Sequence, residues 1–245
     1  MLFLVLLFVA AVLSGTTASL VGFGIGSVLT PLLAARLGTP LAVAAVAIPH
    51  AFATALRCWR LRSAIDMRIL REFGILSAVG GLTGALVGTR VSERVLTIVL
   101  GLLLLATSAA ALTNWSSRWK PRGAMVWLFG LASGFFGGIA GNQGGLRSAA
   151  LLSWRLSPAA FVATATATGL MVDAARTPIY VWRAGDALLG LRTPIAVACI
   201  GVLAGTIAGE RLLLGLSPER FRRLVGVLIG VLGIWLLWRG TTLKP

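Results

Sequence analysis

The stretch Gly141-Asn142-Gln143-Gly144-Gly145-Leu146-Arg147-Ser148 decides how the chain is read. It is rich in glycine, carries two amides, and sets an arginine inside apolar sequence that runs from near Gly123 to near Ser153. Glycine at this density interrupts a helix, because the backbone is free to turn and to approach another backbone closely. A second stretch, Gly22-Phe23-Gly24-Ile25-Gly26-Ser27, has the same apolar setting earlier in the chain. Paired interruptions at matching places in two halves of an apolar chain point to a binding site near a bilayer midplane.

Composition sets the class. Apolar residues are 58% of the 245 and charged residues 12%, with a mean hydropathy of +0.94. Soluble domains average about 45–50% apolar and about 25% charged. No charge occurs in 1–35, and further uncharged runs cover 38–56, 73–89, 95–117, 123–146, 156–172, 193–209 and 224–238. Several approach the roughly 20 residues that cross a hydrocarbon core of about 30 Å. An all-α polytopic membrane protein follows, with about six to eight transmembrane helices.

The net charge is +15. The arginines lie mostly between the apolar runs, where they meet lipid headgroups and help to fix topology. A nucleic-acid partner would need a polar face that the sequence lacks. Cys58 and Cys199 stand far apart, and His50 is the one histidine. Neither a disulfide framework nor a zinc site fits that spacing, and no cofactor is expected. The N-terminus lacks the basic start of a secretory signal and reads as the first membrane segment. No HExxH, GxSxG or P-loop is present, which argues against an enzyme and against an ATP-driven pump within this chain.

In order along the chain, residues 1–37 would make about 55 Å of straight helix, more than a bilayer core. The glycines therefore divide them into a helix and a short half-helix ending near Arg36. Thr39-Pro40 starts the next helix, since proline suits a first turn. It reaches about Trp59. A basic loop over 57–71 carries Arg57, Arg60, Arg62, Arg68 and Arg71 and is the best cytoplasmic segment. A glycine-rich helix over 72–89 holds Gly84 and Gly88, a small-xxx-small pair suited to close helix contact. A helix over 93–112 closes the first half.

The second half repeats the first. Ser14-Gly15 matches Ser133-Gly134, Gly22 matches Gly141, Gly26 matches Gly145, Arg36-Leu37 matches Arg155-Leu156, and Pro40 matches Pro158. Further on, Gly84 and Gly88 match Gly205 and Gly209, and Ser92-Glu93-Arg94 resembles Ser217-Pro218-Glu219-Arg220. Ordered matches of this kind indicate a duplication. The expected organisation is a first transmembrane repeat over 1–114, a basic linker over 115–122 with Trp115 and Trp119 as interfacial anchors, and a second repeat over 123–240. Counting basic residues on either side does not separate parallel from inverted repeats. The shortness of the segment after Gly145 favours inverted repeats, each opening with a glycine-broken or re-entrant helix. Both breaks, Gly22–Gly26 and Gly141–Gly145, are expected to be non-helical and adjacent in the membrane core.

Arg147 is the first candidate contact, because a charge at membrane depth faces a cavity or a partner. A structural ion pair is the competing reading. Asn142 and Gln143 add side-chain donors. Gly144 and Gly145 leave backbone N–H groups open at a half-helix N-terminus, an arrangement that attracts anions. Gly24, Gly26 and Ser27 offer the same in the first half. His50 is a candidate substrate contact, against the plainer reading of a hydrogen-bonded core histidine, and Arg57, one to two turns on, reads as a cavity residue or a loop anchor. Asp173 and Arg176 are three apart on a segment over 156–182 and share a helix face. They read as a structural pair, or Asp173 is a proton carrier or the counter-ion of Arg147. The alternating Thr164, Thr166 and Thr168 read as packing residues.

At Gly22-Phe23-Gly24-Ile25-Gly26, followed by Pro31, and at the matching second-half break, the chain resembles the TauE/SafE sulfite exporter family, also called the 4-toluene sulfonate uptake permease family. The resemblance covers nearly the whole chain. It implies a multi-pass transporter of the bacterial inner membrane, carrying sulfite, organosulfonates or related small anions. The second half departs from the family pattern in having Asn142-Gln143 and Ala150 where a longer glycine run and a later proline are common.

The resulting expectation is a secondary transporter of a small anion, coupled to protons, with membrane lipids as its surroundings and homo-oligomerisation left open. An uncoupled anion channel and a membrane scaffold for a partner protein are the alternatives.

Overall fold

The computed structural model describes residues 1–22, 24–113, 123–142, 144–151, 154, 156–212 and 218–243. The basic linker, Phe23, Gln143, Arg155 and Ser217 lie outside them. Among the described residues the chain is helical. In the first half these are α1 (Leu2–Val21), α2 (Ile25–Leu37), α3 (Thr39–Arg60), α4 (Met67–Gly88) and α5 (Glu93–Thr113). In the second they are α6 (Ala124–Ala140), α7 (Gly144–Leu151), α8 (Pro158–Gly190), α9 (Arg192–Leu212) and α10 (Pro218–Thr242).

The distribution of side chains is that of a membrane protein. Leu2, Val5, Leu6, Val9 and Leu13 make an exposed apolar stripe on α1, and Leu224, Val227, Leu228, Val231 and Ile234 make one on α10. Arg57, Arg147, Asp173 and Arg176 are buried. In water this inversion would be ruinous. In lipid, apolar faces meet acyl chains and charges turn inward. Among the described residues six helices are long and apolar enough to cross a bilayer: α1, α3, α4, α5, α9 and α10.

The basic cluster over 57–71 is not a loop. α3 continues through Arg57 to Arg60, and a 3-10 turn spans Arg62–Ala64. α4 then starts at Met67 because the Asp66 carboxylate accepts the N–H groups of Arg68 and Ile69, each at 3.0 Å. That satisfies donors which a helix start leaves open. α8 likewise runs beyond the expected end at Trp182, to Gly190, with a kink at Ala184 (φ −127°, ψ 20°). No proline follows Trp182 before Pro194, and the helical ladder resumes after Ala184.

Both breaks exist but are shorter than expected. Gly22 (φ +82°) and Gly24 (φ +135°) divide α1 from α2, and Gly141 (φ +73°) ends α6. These φ values strongly favour glycine. Gly26, Gly144 and Gly145 are already helical. Gly26 is needed for proximity: a Cβ there would stand 2.3 Å from the Gly141 carbonyl oxygen. The two breaks therefore touch.

The most extensive packing pairs are α1 with α9, α4 with α6 and α5 with α10, followed by α3 with α8 and α4 with α8. Matching first-half helices in order to second-half helices maps the first three pairs as a set onto itself, and α3–α8 onto itself. α3 and α8 run antiparallel, with His50 beside Asp173 and Thr54 beside Gly169. α5 and α10 are antiparallel too, with Ile98 beside Gly240 and Ala111 beside Gly226. Glycine makes the closest approaches possible. A Cβ on Gly84 would stand 2.1 Å from the Phe135 carbonyl oxygen, and one on Gly205 would stand 2.0 Å from that of Val12.

Candidate functional site

α2 starts at Ile25 and α7 at Gly144, directly after the breaks. Their N-termini converge on a cavity lined by Gly24, Gly26, Ser27, His50, Gly141, Asn142, Gly144 and Arg147. The first turn of a helix has N–H groups without intrahelical partners and carries the positive end of the macrodipole. Two such ends meet here. The cavity measures about 10 Å³, the room of roughly one water molecule. Of the residues singled out by sequence, Gly24, Gly26, Ser27, His50, Asn142, Gly144 and Arg147 come together at this point. Gly145 follows in the first turn of α7.

Arg147 is 3% exposed, and its Nε and Nη1 have no hydrogen-bond partner among the described residues. Asn142 Nδ2 is also unpartnered. The guanidinium lies against Gly169 of α8, where a Cβ would come within 2.8 Å of Nη1. Buried polar groups are hydrogen-bonded in the great majority of cases, so these orphaned donors call for an explanation.

Beside the cavity, three ionisable side chains form a chain of contacts. His50 Nδ1 lies 2.6 Å from Asp173 Oδ2. The Thr54 hydroxyl, 3.3 Å from the same ring nitrogen, donates to the His50 carbonyl at 2.6 Å. Asp173 Oδ1 accepts from Arg176 Nε at 3.0 Å, and Arg176 Nη2 stands 2.8 Å from the same oxygen. Asp173 thus commits both carboxylate oxygens to His50 and Arg176, and neither to Arg147. Arg176 also donates through Nη1 to the Gly137 carbonyl, and Tyr180 donates to that of Gly138. These carbonyls lie in the last turn of α6, where that of Gly137 also accepts the Gly141 N–H at 3.0 Å. One face of α8 therefore caps the helix that ends at the second break.

Two features escaped the sequence reading. The His50–Asp173 contact joins residues 123 apart, and spacing carries no trace of it. Tyr180 is the single tyrosine and follows Asp173 by two helical turns, a signal that was available. Arg57, which reads from sequence as either a cavity residue or a loop anchor, is 4% exposed and its Nε and Nη1 lack partners among the described residues. Thr166 and Thr168 are buried with unpartnered hydroxyls, whereas Thr164 accepts the Asp66 N–H at 3.0 Å.

A wider cavity of about 500 Å³ lies between α3, α4, α5, α6 and α8. Val43, Gly138, Tyr180 and Arg183 are among its lining residues. Val43 also approaches Gly141, since a Cβ on that glycine would come within 3.5 Å of it. The wide cavity thus reaches to the edge of the second break.

Lipid-facing helices around buried, unpartnered cations define a multi-pass membrane protein of transporter type. A family model described as Sulfite exporter TauE/SafE matches residues 7–236, and the chain belongs to that family. No curated protein and no solved structure matched the chain.

Proposed function

We propose that the protein is a secondary transporter of small sulfur-containing anions in a bacterial inner membrane, and that the anion binds where the two breaks meet. The observation that carries this reading is Arg147. An arginine 3% exposed, with two unpartnered nitrogens, beside two helix N-termini fits an anion-binding site. The space of about 10 Å³ is too small for a sulfur oxoanion, so binding requires the breaks to part. The wide cavity, bounded by Val43 and Tyr180, is the entry route.

The two halves are inverted repeats in this reading, divided by the linker over 115–122. Supporting this are the antiparallel α3–α8 and α5–α10 pairs, each made of matched helices. α2 and α7, with 13 and 8 residues, are about 20 Å and about 12 Å long, short of a hydrocarbon core of about 30 Å. Broken backbone at that depth must line a cavity or be covered by protein. Proton coupling runs through His50 and Asp173, since histidine titrates near neutral pH and intramembrane acids mark proton relays.

The test is a thermal-shift and vesicle-flux screen of purified protein with sulfite, thiosulfate, an alkyl sulfonate and a carboxylate. A ligand that binds only the folded state raises its melting temperature. A sulfur oxoanion is expected to do so and to cross the vesicle membrane faster when a pH gradient is imposed. No shift and no flux with any of these anions overturns the reading.

A further inference from the structure

We propose that Arg57 is a second anion contact, and that Arg57 and Arg147 together select a compact, doubly charged oxoanion over a singly charged one. The proposal rests on the anion site just described and adds its charge and size selectivity.

Charge accounting within the protein leads to it. Among the described residues the buried arginines and carboxylates are Arg57, Arg147, Arg176 and Asp173. Arg176 is matched by Asp173, whose second oxygen is held by His50. Two cations are left over. Asp173 is the one buried carboxylate among the described residues, and its contacts are spent elsewhere. A buried cation without a partner is costly, and losing the guanidinium proton is not an available escape. A singly charged ligand would leave one charge uncompensated, whereas a dianion matches both.

Position supports the pairing. Arg147 Nη1 and Thr54 Cγ2 both approach the same face of Gly169, within 2.8 and 3.6 Å of where a Cβ would stand. Arg57 is one turn beyond Thr54 on α3. Arg57 does not line the closed cavity; it stands on the α3 turn next to the one that shares Gly169 with Arg147, and meets the anion once the breaks part. Two guanidinium groups with free donors on neighbouring turns suit an anion between them, because each presents a planar fork that matches oxyanion geometry.

The surroundings also limit size. The central cavity is lined by glycines, Ser27, His50, Asn142 and Arg147. It offers no apolar wall for the carbon tail of an organosulfonate, so a bare oxoanion fits better than an aryl sulfonate.

Sulfate and methanesulfonate make the test, since both present tetrahedral sulfur with oxygens and they differ by one charge. Their dissociation constants are measured by calorimetry on purified wild-type, Arg57→Gln and Arg57→Lys proteins, with melting temperatures recorded alongside. The wild type is expected to bind sulfate about tenfold or more tightly than methanesulfonate. Arg57→Gln should lose about ten- to a hundredfold in sulfate affinity and change little for methanesulfonate. Arg57→Lys should keep the preference in weakened form. If Arg57→Gln does not fold, the wild-type preference and the lysine variant still decide. Equal wild-type affinities, or a full preference surviving in either Arg57→Gln or a well-folded protein with Arg57 otherwise neutralised, overturn the two-arginine proposal while leaving the anion site standing. Binding of neither anion, nor of sulfite, overturns both.

Discussion

His50 Nδ1 lies 2.6 Å from Asp173 Oδ2 and ties α3 to α8, the third helices of the two halves. Asp173 is fully enclosed, and its other oxygen is held by Arg176. A proton gained or lost at this contact would change the charge next to the central cavity, which His50 also lines. In the proposed reading, binding and protonation therefore meet at one residue.

His50→Gln is the cleaner test of that link. Glutamine keeps a polar group of similar reach but does not titrate between pH 5 and 8, as histidine does. The variant is expected to fold with a melting temperature close to wild type and to retain anion binding. Its transport should lose its dependence on the pH gradient. Measuring flux against external pH in vesicles checks this, and a wild-type pH profile would remove His50 from the coupling path.

Asp173→Asn should behave differently. Removing one partner of the ion pair with Arg176 leaves a buried cation uncompensated. The expected cost is about 3–5 kcal/mol, read as a lower melting temperature. Adding Arg176→Met should restore part of it, and a double-mutant cycle measures how much. Purely additive losses would show that the pair is energetically unimportant.

The touching breaks give a prediction about backbone. Alanine at Gly26 would put a Cβ 2.3 Å from the Gly141 carbonyl oxygen, so the breaks must separate or distort. Transport should fall by about tenfold or more, as misplacement of about 1 Å at a reacting or binding site does. Gly22→Ala meets no atom within 4 Å and bears only the strain of φ +82°, about 1–2 kcal/mol. It should lower stability and spare transport. Equal effects of the two changes on transport would contradict the proximity argument.

How much of this could be read from sequence follows from what carries local signal. Closely spaced glycines in two matching apolar settings pointed to the two breaks and to the α2 and α7 half-helices, although Gly80-Gly81 and Gly137-Gly138 stay inside helices. The length of the breaks was not legible, because Gly26 and Gly144 can be helical or not, and only the neighbouring backbone decides. Arg147 stood out as a lone charge in apolar sequence. Arg57 could be read equally as a cavity residue or a loop anchor, since four other arginines follow it within 57–71, and the continuation of α3 decides that it is buried. Asp173 with Arg176 was readable from helical spacing. The His50 contact was not, because it depends on how α3 and α8 pack.

The central claim is that Arg147 holds the anion where the breaks meet. It is tested most directly by measuring sulfite affinity and melting temperature together for wild type, Arg147→Lys and Arg147→Ala. Lysine keeps the charge and loses the planar fork, so affinity should weaken in part. Alanine removes charge-assisted bonds of about 1.5–3 kcal/mol, which is about ten- to a hundredfold in affinity. Melting temperature should hold or rise, because the unpartnered Nε and Nη1 cost the empty protein stability. Wild-type sulfite affinity in a well-folded Arg147→Ala protein would contradict the account and leave the two half-helix N-termini as the anion contacts.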